Sequence, residues 1–161
     1  MALEFVRVAA AHEGALAAFF AELVRQGDNQ WFHPHPFTAE QARVLAAYAG
    51  RDLYCVAVDE GRVAAYGMLR GWDEGYATPS LGIAVAPAFR GQGLGRPFMH
   101  YLHAAARLRG APRVRLKVYP GNTAARRLYE SLGYRFQDAG DGQLLGFVDF
   151  GRDDQRAGAA A

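Results

Sequence analysis

From Leu3 to Val8 the side chains alternate, Leu3, Phe5 and Arg7 against Glu4, Val6 and Val8, and this period of two predicts a strand. Leu16, Phe19, Phe20, Leu23 and Val24 then fall on one face of a helix that Gly27 and Asp28 close. Two prolines interrupt the stretch Trp31-Phe32-His33-Pro34-His35-Pro36-Phe37, which reads as an aromatic loop. Thr38 caps a second helix to Ala49, with Gln41 at the reciprocal position. The period returns to two over Leu53 to Val58 and Arg62 to Leu69, an antiparallel pair joined around Asp59, Glu60 and Gly61. Gly71 to Gly75 is a polar turn, and Tyr76 to Val85 is a further strand.

The glycine-rich run Arg90 to Arg96 opens a helix with the stripe Leu94, Phe98, Tyr101, Leu102, Ala105 and Leu108, and Pro97 suits its first turn. His100 and His103 fall on the other side of this helix and are expected in solvent. Val114, Leu116 and Val118 form the apolar face of the next strand. Asn122 caps a short helix with Ala125, Leu128 and Leu132 inward, and two last strands run near Tyr134 to Gln137 and Leu144 to Phe150. The order β α α β β β α β α β β predicts one α/β domain over residues 1–150. Its sheet is mixed and mostly antiparallel, with one parallel pair between the strands that end at Val85 and start at Arg113. Residues 151–161 carry no large apolar side chain and are expected to fray.

Composition narrows the function classes. The 161 residues suffice for one domain, and 51% apolar against 21% charged excludes a disordered chain. No apolar run approaches the roughly 18 residues of a membrane span, and a net charge of +2 is too small for a dedicated nucleic-acid binder. The lone cysteine, Cys55, excludes an intrachain disulfide and is expected as a buried filler. With no secretion signal at the N-terminus, the expected compartment is the cytoplasm. His33 and His35 lack a third ligand, so no metal site is expected.

The strongest chemical signal is the strand, glycine turn and helix between Leu81 and Leu102. Glycines let a ligand approach the backbone, and uncompensated N–H groups at a helix start attract anions, so this turn is suited to phosphates. A dinucleotide fingerprint fails because position 96 is Arg, and a nucleotide-triphosphate loop fails for want of Gly-Lys-Ser/Thr. What remains is Arg90-x-x-Gly93-x-Gly95 after a strand that ends Ile83-Ala84-Val85-Ala86-Pro87. Farther on come Asn122-x-x-Ala125-x-x-x-Tyr129 and Gly133-Tyr134.

On these residues the chain resembles the GCN5-related N-acetyltransferase (GNAT) family, in element order from Phe5 to about Phe150 and in motif from Leu81 to Tyr134. The resemblance implies that Arg90, Gly91, Gln92, Gly93, Leu94, Gly95 and Arg96 wrap the pyrophosphate of acetyl-coenzyme A. It further implies that Ile83 and Val85 offer backbone hydrogen bonds to the pantetheine arm like an added strand, and that Asn122, with Ala125, touches the cofactor. Tyr129 matches the tyrosine that protonates the leaving thiolate. The acceptor implied is a primary amine of a small molecule, held by Trp31, Phe32, His33, His35 and Phe37 and attacking directly in a ternary complex. A protein N-terminus or lysine, or a non-catalytic acyl-coenzyme A module, are the alternatives.

Many members carry a glutamate base on the strand before the turn, where this chain has Ser80. Asp73 and Glu74, read first as a solvated turn, and the histidines His33 and His35 leave the base unassigned. Arg113, Arg115, Lys117 and Tyr119 make an unusually polar strand face, read first as wet surface and second as facing an acidic acceptor. An open edge at the last strands would allow pairing across a homodimer.

Overall fold

The period-two segments become the strands β1 (Leu3–Arg7), β2 (Leu53–Asp59), β3 (Arg62–Arg70), β4 (Ser80–Val85), β5 (Arg113–Val118), β6 (Arg135–Asp138) and β7 (Leu144–Asp149). The helices are α1 (Glu13–Arg25), α2 (Ala39–Ala46), α3 (Gly95–Leu108) and α4 (Thr123–Ser131). A computed structural model describes residues 2–151, so nearly all of the tail expected to fray lies outside the described residues. One sheet runs in the order β1-β2-β3-β4-β5-β7-β6, antiparallel at every pair but β4–β5, and the outer edge at the last strands is β6. This is the mixed α/β domain that the pattern predicts. Among the described residues no helix is long and apolar enough to cross a membrane.

The two faces of the sheet are covered differently. Tyr66 on β3 meets the rings of Phe19 and Phe20 on α1, whereas a Cβ at its neighbour Gly67 would strike Leu102 and Phe98 of α3 at 2.9 and 3.0 Å. Alternation therefore sends even positions of β3 toward α1 and odd ones toward α3. By register Arg70 faces the same side as Ser80, and Ser80 the same side as Arg115. On that side α1 reaches the sheet at β3, so the outer face of β4, β5 and β7 is open. This is why β5 carries basic residues on one face and Val114, Leu116 and Val118 on the buried other.

Several elements depart from the pattern. Strand β4 starts at Ser80 rather than Tyr76, because Tyr76 N donates back to Gly71 O at 2.9 Å and Pro79 has no N–H for a ladder. Helix α2 stops at Ala46, short of Ala49, although Thr38 caps it as expected by accepting from Gln41 N at 3.0 Å. Val24 is exposed. The buried face of α3 is Phe98, Met99, Leu102, His103 and Ala106, rotated by about a quarter turn from the predicted stripe at 100° per residue. Tyr101 and Ala105 are half-buried and Leu108 is exposed.

His103 is thus buried rather than solvated. Its Nε2 lies 2.7 Å from Tyr134 Oη, and the ring of Phe150 packs edge-on against it. Cys55 is fully buried, as expected of a filler, and burial pushes its thiol up to about 11.

Burial, with His100 and Arg107 adding positive charge nearby, pushes His103 down to about 4. The unfolded imidazole binds a proton near pH 6.5 and the folded one does not. Stability present above pH 6.5 is therefore lost as pH falls toward 4, by an amount of the order of 2 kcal/mol. Urea unfolding at pH 7 and 4.5 measures this loss, and His103→Gln, which keeps a partner for Tyr134, is expected to remove that part of the pH dependence.

Asp52 is a second buried polar anchor. Its Oδ1 accepts from the backbone N–H groups of Gly71, Trp72 and Asp73 at 3.0, 2.9 and 3.2 Å, while its own N–H donates to Tyr48 Oη at 2.8 Å. Asp73 closes the knot by accepting from Arg51 N and from the Tyr48 hydroxyl. The 71–75 turn is thereby fixed at the end of β3, where it walls the open face.

Candidate active site

Strands β4 and β5 pair only at Ser80↔Arg115, supported by Arg115 N donating to Pro79 O at 3.0 Å, and then diverge. Ala86 N donates to Ala64 O on the β3 side. By alternation the backbone groups of Ala84 and Gly82 also face β3, and those of Val85 and Ile83 face the opened gap. The gap is one wall of a cleft of about 610 Å³. Arg90 Nε takes the Val85 carbonyl at 3.0 Å, so the polar groups free for an added strand are those of Ile83 and the Val85 N–H.

The turn after β4 has a backbone that depends on its glycines. Gly91 and Gly93 have φ of 73° and 76°, a left-handed backbone that favours glycine. Gly95 is placed tightly for a different reason, since a Cβ there would lie 3.1 Å from the Leu128 side chain of α4, which would have to yield slightly. No side chain caps α3, and its first i to i−4 bond is Phe98 N to Leu94 O. The N–H groups of Gly95 and Arg96 therefore meet the cleft without helical partners.

The structure brings Ile83, Val85, Arg90, Gly91, Gly93, Leu94, Gly95, Arg96, Asn122 and Ala125 onto this one cleft, together with Tyr129. Gln92 is not among the lining residues, and its amide donates instead to Ala88 O. Asn122 makes no side-chain cap on α4, contrary to its expected role, and stands in the cleft wall. Arg90 is braced by Asp28 at 2.9 Å and Arg96 by Ser131 Oγ at 2.7 Å. Asp28, Phe89 and Ser131 also line the cleft, and sequence reasoning missed all three. Tyr129 is buried, its hydroxyl bonds no other described residue, and burial pushes it well above the ordinary phenol. It therefore stays protonated at neutral pH.

A second cleft, of about 780 Å³, occupies the open face of β4, β5 and β7. Trp31 and Phe32 line both clefts and form the partition between them. Gly82 makes that partition possible, since a Cβ there would lie 2.7 Å from the Phe32 ring. His33 faces the second cleft and its Nε2 bonds Tyr119 Oη at 2.8 Å.

His35 and Phe37 do not reach this cleft. They pack into the core with Phe20 and Tyr66, and His35 is spent on Tyr66 Oη at 2.8 Å and Pro36 O at 2.9 Å. Of the expected acceptor residues, Trp31, Phe32 and His33 therefore come together and the other two do not. Glu74 lines the cleft, whereas Asp73 is held in the Asp52 knot. Arg70, Tyr76 and Thr78 line it too and were not singled out from sequence, although Arg70 directly follows the apolar run of its strand.

Comparison with known proteins gives the same family that the motif implies. The model of the acetyltransferase (GNAT) family matches residues 16–134. An acetyltransferase of Sodalis glossinidius, SG1711, is 32% identical over 88 residues, 55% of this chain and 61% of that protein. The mycothiol acetyltransferase of Thermobispora bispora is 37% identical over 114 residues, 70% of this chain but 34% of that protein. The chain thus spans less than two thirds of the length of either relative. A GCN5-related N-acetyltransferase from Kribbella flavida superposes with a TM-score of 0.76 at 27% identity, over 92% of this chain and 98% of that one. The splayed strands, the glycine turn and a family match over well over half its length agree: the chain belongs to the acetyltransferase (GNAT) family.

Proposed function

We propose that the chain transfers an acetyl group from acetyl-coenzyme A to a primary amine of a small molecule. The observation that carries this reading is the meeting of two clefts at Trp31 and Phe32, one with a phosphate-suited turn and the other with the size of a small-molecule site. Acetyl-coenzyme A supplies an activated thioester. Gly91, Gly93 and the start of α3 hold its phosphates by backbone N–H groups, and Ile83 and Val85 align its arm along β4. Tyr129 gives its phenolic proton to the departing sulfur, and its neutral form suits that role. His33 and Glu74 line the acceptor cleft, and either one can serve as the single base that takes the proton from the amine.

The test is thiol release from acetyl-coenzyme A across a panel of small primary amines, with product mass as the second readout. Amine-dependent release with an acetylated product supports the reading. Release only with peptide N-termini or lysines would move the acceptor to proteins, and no transfer to any amine despite cofactor binding would leave a binding module.

A further inference from the structure

Resting on that reading, we infer that the acceptor carries an anionic group, a carboxylate or a phosphate, seated over Ser80 between Arg70 and Arg115. The sheet register sets these residues in one row: Arg70 on β3 pairs with Ser80 on β4, Ser80 with Arg115 on β5, and Arg115 with Phe147 on β7. Neighbouring strands lie about 4.8 Å apart, so the two arginine backbones flank Ser80 at about 10 Å from each other. Both guanidinium groups can therefore converge on one anion above it. All four residues line the acceptor cleft.

The other basic groups of this cleft are already neutralised. Arg113 pairs with Asp149 at 2.7 Å and Lys117 with Asp141 at 2.6 Å. Arg70 has a different engagement, donating to Pro34 O at 2.8 Å, and meets no carboxylate among the described residues. Arg115 is half-buried, its Nε is buried without a hydrogen-bond partner, and no described side chain pairs with its guanidinium. With no carboxylate paired to it, the Arg115 guanidinium is left to form charge-assisted hydrogen bonds with an anion in the cleft. Ser80 adds a hydroxyl donor at the position where a carboxylate would repel such a group. Glu74 is the one carboxylate among the described residues lining the cleft, so the cleft presents an anion seat and a separate group suited to an ammonium.

The experiment compares matched primary amines on the protein saturated with coenzyme A: 4-aminobutyrate and aminoethyl phosphate against butylamine and ethanolamine. Binding is read by titration calorimetry, and transfer, where it occurs, by KM and kcat. The inference predicts that the anionic member of at least one pair binds about tenfold or more tighter than its neutral partner. Arg115→Gln erases that preference, weakening the anionic ligand about 10- to 100-fold while the neutral amine changes less than about threefold. Arg43→Gln, on the exposed face of α2, controls for net charge and keeps the preference, and Ser80→Ala guards against a folding defect at Arg115.

The carboxylate and phosphate arms separate the two sources of the anion. Equal binding of both members of each pair, or a preference that survives Arg115→Gln, overturns the inference even if amines are acetylated. Anion-selective binding without transfer keeps the anion seat between Arg70 and Arg115 and counts instead against small primary amines as the acetyl acceptors.

Discussion

Tyr129→Phe is expected to lower kcat about 100-fold or more while leaving the KM for acetyl-coenzyme A within about threefold, the pattern of a lost proton donor rather than a lost binding contact. The phenol is buried at the wall of the cofactor cleft, bonds no other described residue, and is held in its protonated form by burial. Phenylalanine fills the same volume, so the fold is expected to persist. Because its ionisation is pushed upward, the wild-type rate is expected to show no fall from loss of this proton up to about pH 10. Steady-state kinetics across pH on both proteins checks both statements. A variant with wild-type kcat would remove Tyr129 from the chemistry.

The largest stability effect is expected at Asp52, outside both clefts. Asp52→Ala leaves three backbone donors, those of Gly71, Trp72 and Asp73, without their shared acceptor in a buried site. The expected cost is about 3 to 5 kcal/mol, or roughly 10 °C in Tm for a chain of this length. Asp52→Asn keeps an Oδ1 acceptor and is expected to recover more than half of it. The freed turn carries Gly71 and Glu74 into the acceptor cleft, so any transfer that survives in Asp52→Ala is expected with a raised acceptor KM. Thermal unfolding of the three proteins gives the comparison, and an alanine variant as stable as the asparagine one would contradict the account.

Where one face of an element is buried, its period was readable in the chain. Among the described residues the four α-helices and seven strands follow from apolar spacing, and the turn after β4 follows from its glycines, of which those at positions 91 and 93 have positive φ. The errors came where a tertiary partner decides. Helix α3 offered apolar residues around much of its circumference. The face that is buried is the one that finds Tyr134 and Phe150, which carries His103 inward. Likewise His35 and Phe37 belong to the aromatic loop by sequence, but Tyr66 and Phe20 draw them into the core.

The acceptor cleft was the least legible part of the site. Its walls come from the row Arg70, Ser80 and Arg115, which only strand register assembles, and from a sheet face that α1 leaves open. Its traces in the sequence were the aromatic loop that carries Trp31, Phe32 and His33 and the polar alternation of β5.

The central claim is that the gap between β4 and β5, with the glycine turn and the start of α3, holds acetyl-coenzyme A. Thermal unfolding of the protein with and without this ligand tests it without knowledge of the acceptor. At 100 times its Kd the ligand is expected to add about 2.7 kcal/mol, a rise of roughly 5 to 10 °C in Tm, with no such rise for adenosine alone. An unchanged Tm at millimolar acetyl-coenzyme A would contradict the account and leave the Arg90 to Arg96 turn as a structural connection only.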